Sequence, residues 1–132
     1  MKVNETIFRD YDIRGIVGKD LDEGFAFVFG KAYGTYLARK GVREAFVGFD
    51  ARESSSSYYM QSIRGLTSTG TDVVRIGMVT SPMMYWARKH YKIDGGLNIT
   101  ASHNPPEFNG FKPASGGGAL FGEEIQKLKY LM

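Results

Sequence analysis

The 132-residue sequence predicts an α/β fold: a three-layer α/β/α sandwich around a mostly parallel, mixed sheet, forming a single domain over residues 1–132. Three observations lead there. Short runs rich in Val, Phe and Ile alternate with longer segments whose apolar residues recur every three or four positions, the pattern of parallel strands joined by right-handed helical crossovers. The length suits one domain able to bury a core without disulfides, and the sequence has no cysteine. Hydrophobic residues at 42% and charged residues at 23% are ordinary globular usage, and no apolar stretch is long enough for a membrane helix.

The elements follow in order. Phe25, Val28, Phe29, Ala32, Tyr33, Tyr36 and Leu37 form one helical stripe that Gly41 is placed to stop, and Gly30 and Gly34 on one face predict close packing against a neighbour. Ala45 to Phe49 reads as a strand buried on both faces, which delivers Asp50 and Arg52 at its carboxyl end. The serines 54 to 57 supply helix caps before the thinner stripe Tyr59, Ile63 and Leu66, which ends near Gly70. Val73, Val74 and Ile76 make a second strand. Ser81 with Pro82 after it resembles a cap with proline at the first helical position, so Met83 to Tyr91 is a third helix, its Met and aromatic residues assigned to the core. Gly95 to Thr100 is a third buried strand, followed by a polar, proline-containing loop from Ala101 to Asn109. Glu123 to Leu131 alternates apolar and charged residues as a terminal helix does, while the glycine-rich stretch 113–118 leaves the path of the last strand open.

Ligands of such sheets gather beyond the carboxyl ends of the strands, where this chain places Asp50 and Arg52, Thr80, and Ser102 and His103. The net charge of +3 comes from dispersed Lys and Arg, which fits a small anion better than nucleic acid. No phosphate-binding GxxxxGK[ST] loop, GxGxxG fingerprint or Gly-x-Ser-x-Gly elbow occurs, and two histidines without cysteine argue against zinc. Neither a secretory leader nor a membrane span is visible, so a cytoplasmic location is expected.

The loop Thr100-Ala101-Ser102-His103-Asn104-Pro105-Pro106 lifts a serine from a buried strand onto a turn stiffened by two prolines. Ser, Asn and Pro form turns for independent reasons, so a plain turn would account for the loop by itself. Lys112 close behind it and Arg14 in another glycine-ended polar stretch add cations suited to a phosphorylated serine. Asp50 and Arg52 are expected to pair structurally, and His90 to sit on a helix surface.

Four segments spread over nearly the whole chain resemble the α-D-phosphohexomutase superfamily, and within it the N-terminal domain of the phosphomannomutase/phosphoglucomutase branch. They are Phe8 to Gly15, Val47 to Ser55, Gly77 to Tyr85, and Gly95 to Lys112 with its highly specific Thr-Ala-Ser-His-Asn-Pro core. The resemblance implies that Ser102 carries a phosphoryl group, gives it to a hexose phosphate to form a bisphosphorylated sugar, and takes back the other phosphate. It further implies that His103 and Lys112 assist proton movement or charge stabilisation, and that Tyr11, Arg14 and Asn104 contact substrate or phosphate. Mg²⁺ is the implied cofactor, held in part by Ser102 through its phosphate, with glucose 1,6-bisphosphate as activator. A transferring phosphoryl group is stabilised chiefly by cations and alignment, which such residues provide.

Members of this superfamily usually have four domains, and an Asp-Gly-Asp loop in the second supplies the other Mg²⁺ ligands; no such segment occurs here. The expectation is therefore a domain that needs the remaining domains, is inactive alone, and exposes a face able to drive weak self-association. Two alternatives stay open: a phosphoglucosamine mutase domain, and a non-enzymatic phosphoserine or anion-binding module that works with a partner chain.

Overall fold

In the computed structural model, which describes residues 2–132, helix α1 (Glu23–Arg39) runs over one face of the sheet. Asp22 caps it by accepting the Phe25 N–H at 2.7 Å, and the stripe Phe25, Phe29, Tyr33 and Leu37 is buried. Helix α2 (Ser55–Ser68) lies against α1 so closely that a Cβ on Gly30 would collide with the Ser62 carbonyl, and one on Gly65 with the Phe27 carbonyl. Of the two glycines anticipated as a packing face, Gly30 lets the helix backbones meet and Gly34 makes room for the Thr69 side chain after α2.

The sheet is mixed, in the order β1 (Ile13–Ile16), β5 (Phe108–Ser115), β4 (Gly95–Ile99), β2 (Glu44–Phe49), β3 (Asp72–Met78), with the short β6 (Gly118–Ala119) also pairing with β5. Strands β4, β2 and β3 are parallel, joined through α2 and α3 (Ser81–Tyr91). The other half departs from the parallel expectation, because β5 runs antiparallel to β4, β1 and β6. A tight loop after β4 turns the chain straight back beside it, and a return without a crossover helix can only be antiparallel.

Strand β2 alternates as a doubly buried strand must: Ala45 and Val47 join the large core under α1, α2 and the terminal helix α4 (Glu123–Leu131), while Phe46 points to α3. Phe111 of β5 sits at the centre of the large core, 4.8 Å from the Phe29 ring and 5.5 Å from that of Phe25. The opposite face is thinly covered. Of α3, only Met84, Ala87 and Arg88 are buried; Met83, Tyr85, Trp86 and Tyr91 are exposed. That corrects the assignment to the core for Met83, Tyr85, Trp86 and Tyr91, while Met84 packs there as expected. Among the described residues no second helix flanks α3, so its outward side has nothing to pack against. His90 is on the surface as expected, with its ring stacked 4.5 Å from Trp86.

Candidate active site on the serine loop

The loop between β4 and β5 carries Ser102 at φ 58°, one of two non-glycine residues with positive φ among those described. This left-handed conformation costs an L-residue about 1–2 kcal/mol, so neighbours must impose it. They are identifiable. Thr100 Oγ1 accepts the Ser102 N–H at 2.9 Å, and the Ala101 carbonyl accepts the Asn104 N–H at 3.1 Å. The Ser102 residue is exposed, as its loop position predicts.

Arg52 holds the rest of the loop. Its guanidinium donates to four loop carbonyls: Ser102 at 3.0 Å, Asn104 at 2.6 Å, Pro105 at 2.8 Å and Phe108 at 3.0 Å. Asp50 orients it from below, with Arg52 Nε 3.3 Å from its carboxylate, and accepts the Arg52 N–H at 3.0 Å and the Ser55 hydroxyl at 2.5 Å. The expected Asp50–Arg52 pair is therefore present, yet its consequence lies in the loop it clamps. Sequence reasoning set these residues aside. The signal that could have found them was their place at the carboxyl end of β2, the same rim as the serine.

Asn109 braces the far end of the loop, donating to Ser54 Oγ at 2.7 Å and Ser55 Oγ at 3.0 Å while accepting the Gly110 N–H at 2.8 Å. Ser54, expected as a helix cap, precedes α2 without a side-chain capping bond and serves this contact instead.

Arg14 and Lys112 approach the serine loop from two strands. Arg14 lies in β1, where its register partner is Gly110, and a Cβ there would press on Arg14 Cγ at 3.2 Å and collide with the Ile13 carbonyl. Glycine at this position opens the path that the arginine takes across the sheet. The Arg14 guanidinium pairs with Asp12 at 2.5 Å and donates to the Asn104 side-chain carbonyl. Lys112 lies two residues further along β5 on the same face. Burial pushes its ammonium below the usual lysine range and nearby Arg14 adds to this, against the opposing pull of Asp12.

A cleft of about 550 Å³ joins these groups, lined by Asp50, Thr80, Ser81, Asn98, Ser102, His103 and Lys112. Of the residues singled out from the sequence, Ser102, His103 and Lys112 thus share one cleft, while Asn104 and Arg14 are bonded to each other outside its lining. Tyr11 stands apart: it is 69% exposed, its ring 6.3 Å from that of Phe121 just before α4.

The arrangement suits an anion on Ser102: an exposed hydroxyl on a braced loop, Lys112 in the same cleft, Arg14 bonded to the loop's Asn104, and the amino end of α3 across the cleft. It does not by itself make a Mg²⁺ site. Among the described residues no three His, Cys, Asp or Glu side chains cluster to hold a metal, and both nearby carboxylates are engaged, Asp12 with Arg14 and Asp50 with Arg52.

An α/β domain presenting an anion-ready serine at the carboxyl rim of its parallel strands is the class this fold and site define. Residues 5–131 match the family model of phosphoglucomutase/phosphomannomutase, alpha/beta/alpha domain I, and the chain belongs to that family. It is 44% identical over 126 residues to a phosphoglucomutase of Neisseria gonorrhoeae, a match covering 96% of this chain and 27% of the relative. It is 40% identical over 124 residues to a phosphomannomutase/phosphoglucomutase of Pseudomonas aeruginosa, covering 94% of this chain and 27% of the relative. A crystal structure of a phosphoglucomutase/phosphomannomutase family protein from Burkholderia thailandensis superposes with a TM-score of 0.92 at 36% identity, over 98% of this chain and 30% of that one. The chain thus spans little more than a quarter of the curated relatives it matches. No helix among the described residues is long and apolar enough to cross a membrane.

Proposed function

We propose that this chain is the phosphoserine-bearing domain of a phosphohexomutase that interconverts hexose 1-phosphates and hexose 6-phosphates. The observation that carries the reading is the conformation of Ser102, exposed at positive φ on a loop whose carbonyls are clamped by one arginine. A nucleophile held this way loses little freedom when it reacts, and in-line transfer depends on such positioning.

In the forward step the phosphoryl group passes from Ser102 Oγ to a sugar hydroxyl. The P–Oγ bond breaks, a P–O bond to the sugar forms, and the sugar hydroxyl's proton leaves to a base as Ser102 is reprotonated. Lys112 and Arg14 offset the charge on the equatorial oxygens, and His103 and Lys112 are the proton-handling candidates. Asn104 orients Arg14, and Tyr11 contacts the sugar only where the remaining domains bring substrate to its side of the fold. The Ser102 phosphate would be one ligand of a Mg²⁺ ion, which would neutralise phosphate charge if carboxylates from outside this chain completed its shell. Domains II–IV of the full-length enzyme supply those ligands and sugar recognition, so the isolated chain has little or no mutase activity. The phosphoglucomutase and phosphomannomutase relatives favour glucose or mannose phosphate chemistry over glucosamine phosphate.

The test is intact and peptide mass spectrometry after incubation with glucose 1,6-bisphosphate. Phosphate on Ser102, missing in Ser102→Ala, supports the reading. Failure to label both this chain and a version joined to the other domains of a relative refutes it.

A further inference from the structure

Asn98 is an unusual residue for the middle of β4. It is 2% exposed, its neighbours Leu97 and Ile99 are fully buried, and its side-chain carbonyl Oδ1 is buried with no hydrogen-bond partner. A buried acceptor left unpaired costs about 1–3 kcal/mol, so a donor brought to Oδ1 would be stabilising.

The register names the donor. Asn98 stands directly opposite Lys112 across the β4–β5 ladder, and residues opposed in a ladder project from the same face with Cβ atoms about 5 Å apart. Both line the same cleft as Ser102. Lys112 has three N–H donors, and makes no hydrogen bond or ion pair with any described residue. The two carboxylates near it already face other groups, Asp12 through Oδ2 toward Arg14 and Asp50 toward Arg52 and Ser55. His103 and Arg14, the remaining ionisable groups around the cleft, offer an ammonium no carboxylate. The Asn98 amide is also aimed, because its Nδ2 donates to Ser81 Oγ at 3.4 Å at the start of α3, leaving Oδ1 for the cleft.

We propose that Asn98 Oδ1 accepts a hydrogen bond from Lys112 Nζ and so holds the ammonium beside the serine loop, which makes Asn98 a positioning residue for Lys112. The inference deepens the phosphoryl-transfer reading and rests on it for the meaning of Lys112. It is a contact that β4 supplies from its own sheet face, with Ser81 as the tether that sets the amide. A lysine stem is otherwise free to swing, and an ammonium whose charge is already disfavoured by burial gains most from a fixed acceptor.

The test needs no turnover, so its failure is separable from failure of Ser102 to accept phosphate. In the folded chain carrying ¹³C-lysine, relaxation of the Lys112 ε-methylene reports how tightly the side chain is held, with exposed Lys19 as the internal mobile standard. Lys112 is expected to be more ordered than Lys19, to fall to the Lys19 value in Asn98→Leu, and to keep its order in Asn98→Asp, which retains an acceptor. Equal order in all three proteins with intact amide spectra overturns the proposal, as does a Lys112 already as mobile as Lys19 in the parent. If Asn98→Leu does not fold, Ser81→Ala decides: loss of the tether lowers Lys112 order, and an unchanged value refutes the contact.

Discussion

Replacing Arg52 by Gln tests whether one side chain sets the shape of the serine loop. Arg52 donates four hydrogen bonds to loop carbonyls, of which those to Asn104 and Phe108 are part-buried and those to Ser102 and Pro105 exposed. Charged-donor bonds contribute about 1.5 kcal/mol each at the low end, and the exposed pair counts for little against water. About 3 kcal/mol of loop stabilisation is therefore at stake, and glutamine, a neutral donor, recovers one bond worth about 1 kcal/mol, leaving about 2 kcal/mol lost. Because each 1.4 kcal/mol is a factor of ten, protection from local opening should fall about 30-fold. The probes are the Ser102 amide, bonded to Thr100 Oγ1, and the Asn104 amide, bonded to the Ala101 carbonyl. Native-state hydrogen exchange reads both, while amides in β2 and α1 serve as controls. Faster exchange confined to the loop, with a parallel drop in Ser102 phosphorylation, is the expected result. Unchanged exchange at both probes in a folded Arg52→Gln protein would refute the clamp.

Two further predictions concern backbone and pH. Because Ser102 sits at φ 58°, Ser102→Gly should leave the chain about 1 kcal/mol more stable than Ser102→Ala, although neither accepts phosphate; equal urea midpoints would contradict the imposed left-handed geometry. Burial raises the phenol pKa of Tyr58 to about 12 and that of buried Tyr33 further, Tyr58 donating to the Leu21 carbonyl at 2.9 Å and Tyr33 to those of Ala114 at 2.5 Å and Gly96 at 3.1 Å. Both pKa values lie above the unfolded value of about 10, so their stabilising contribution is full below that pH and is lost as pH rises from about 10 through about 12. Absorbance at 295 nm should show these tyrosines ionising together with loss of helical signal, and ionisation of all tyrosines before unfolding would argue against it.

Much of the frame was legible in the residues. The stripe from Phe25 to Leu37 marked α1, observed over Glu23–Arg39, because a helix buried along one side writes its period into the sequence. Strand β2, expected over residues 45–49, spans Glu44–Phe49, since a strand covered on both faces is a continuous apolar run. Strand β1 was not legible: Ile-Arg-Gly-Ile is four residues long, carries a charge and a glycine, and is a strand only through its pairing with β5. Strand β5 contains Pro113, which discourages a central-strand reading, yet it runs on because its partners bond to the proline's carbonyl side, with Leu120 donating there at 2.9 Å. The Met and aromatic residues of α3 were assigned to the core by type, but residue type alone cannot report that a face has no second layer.

The candidate site divides in the same way. By itself the sequence determined the serine loop, the two cations near it and the strand ends on which they ride, because turn chemistry, strand runs and charge are properties of neighbouring residues. Only the tertiary structure decided that Arg52 grips carbonyls fifty and more positions away, that Tyr11 faces α4 instead of the cleft, and that the unpaired carbonyl of Asn98 stands opposite Lys112. Those facts depend on sheet order and register, which long-range packing sets and no local pattern encodes.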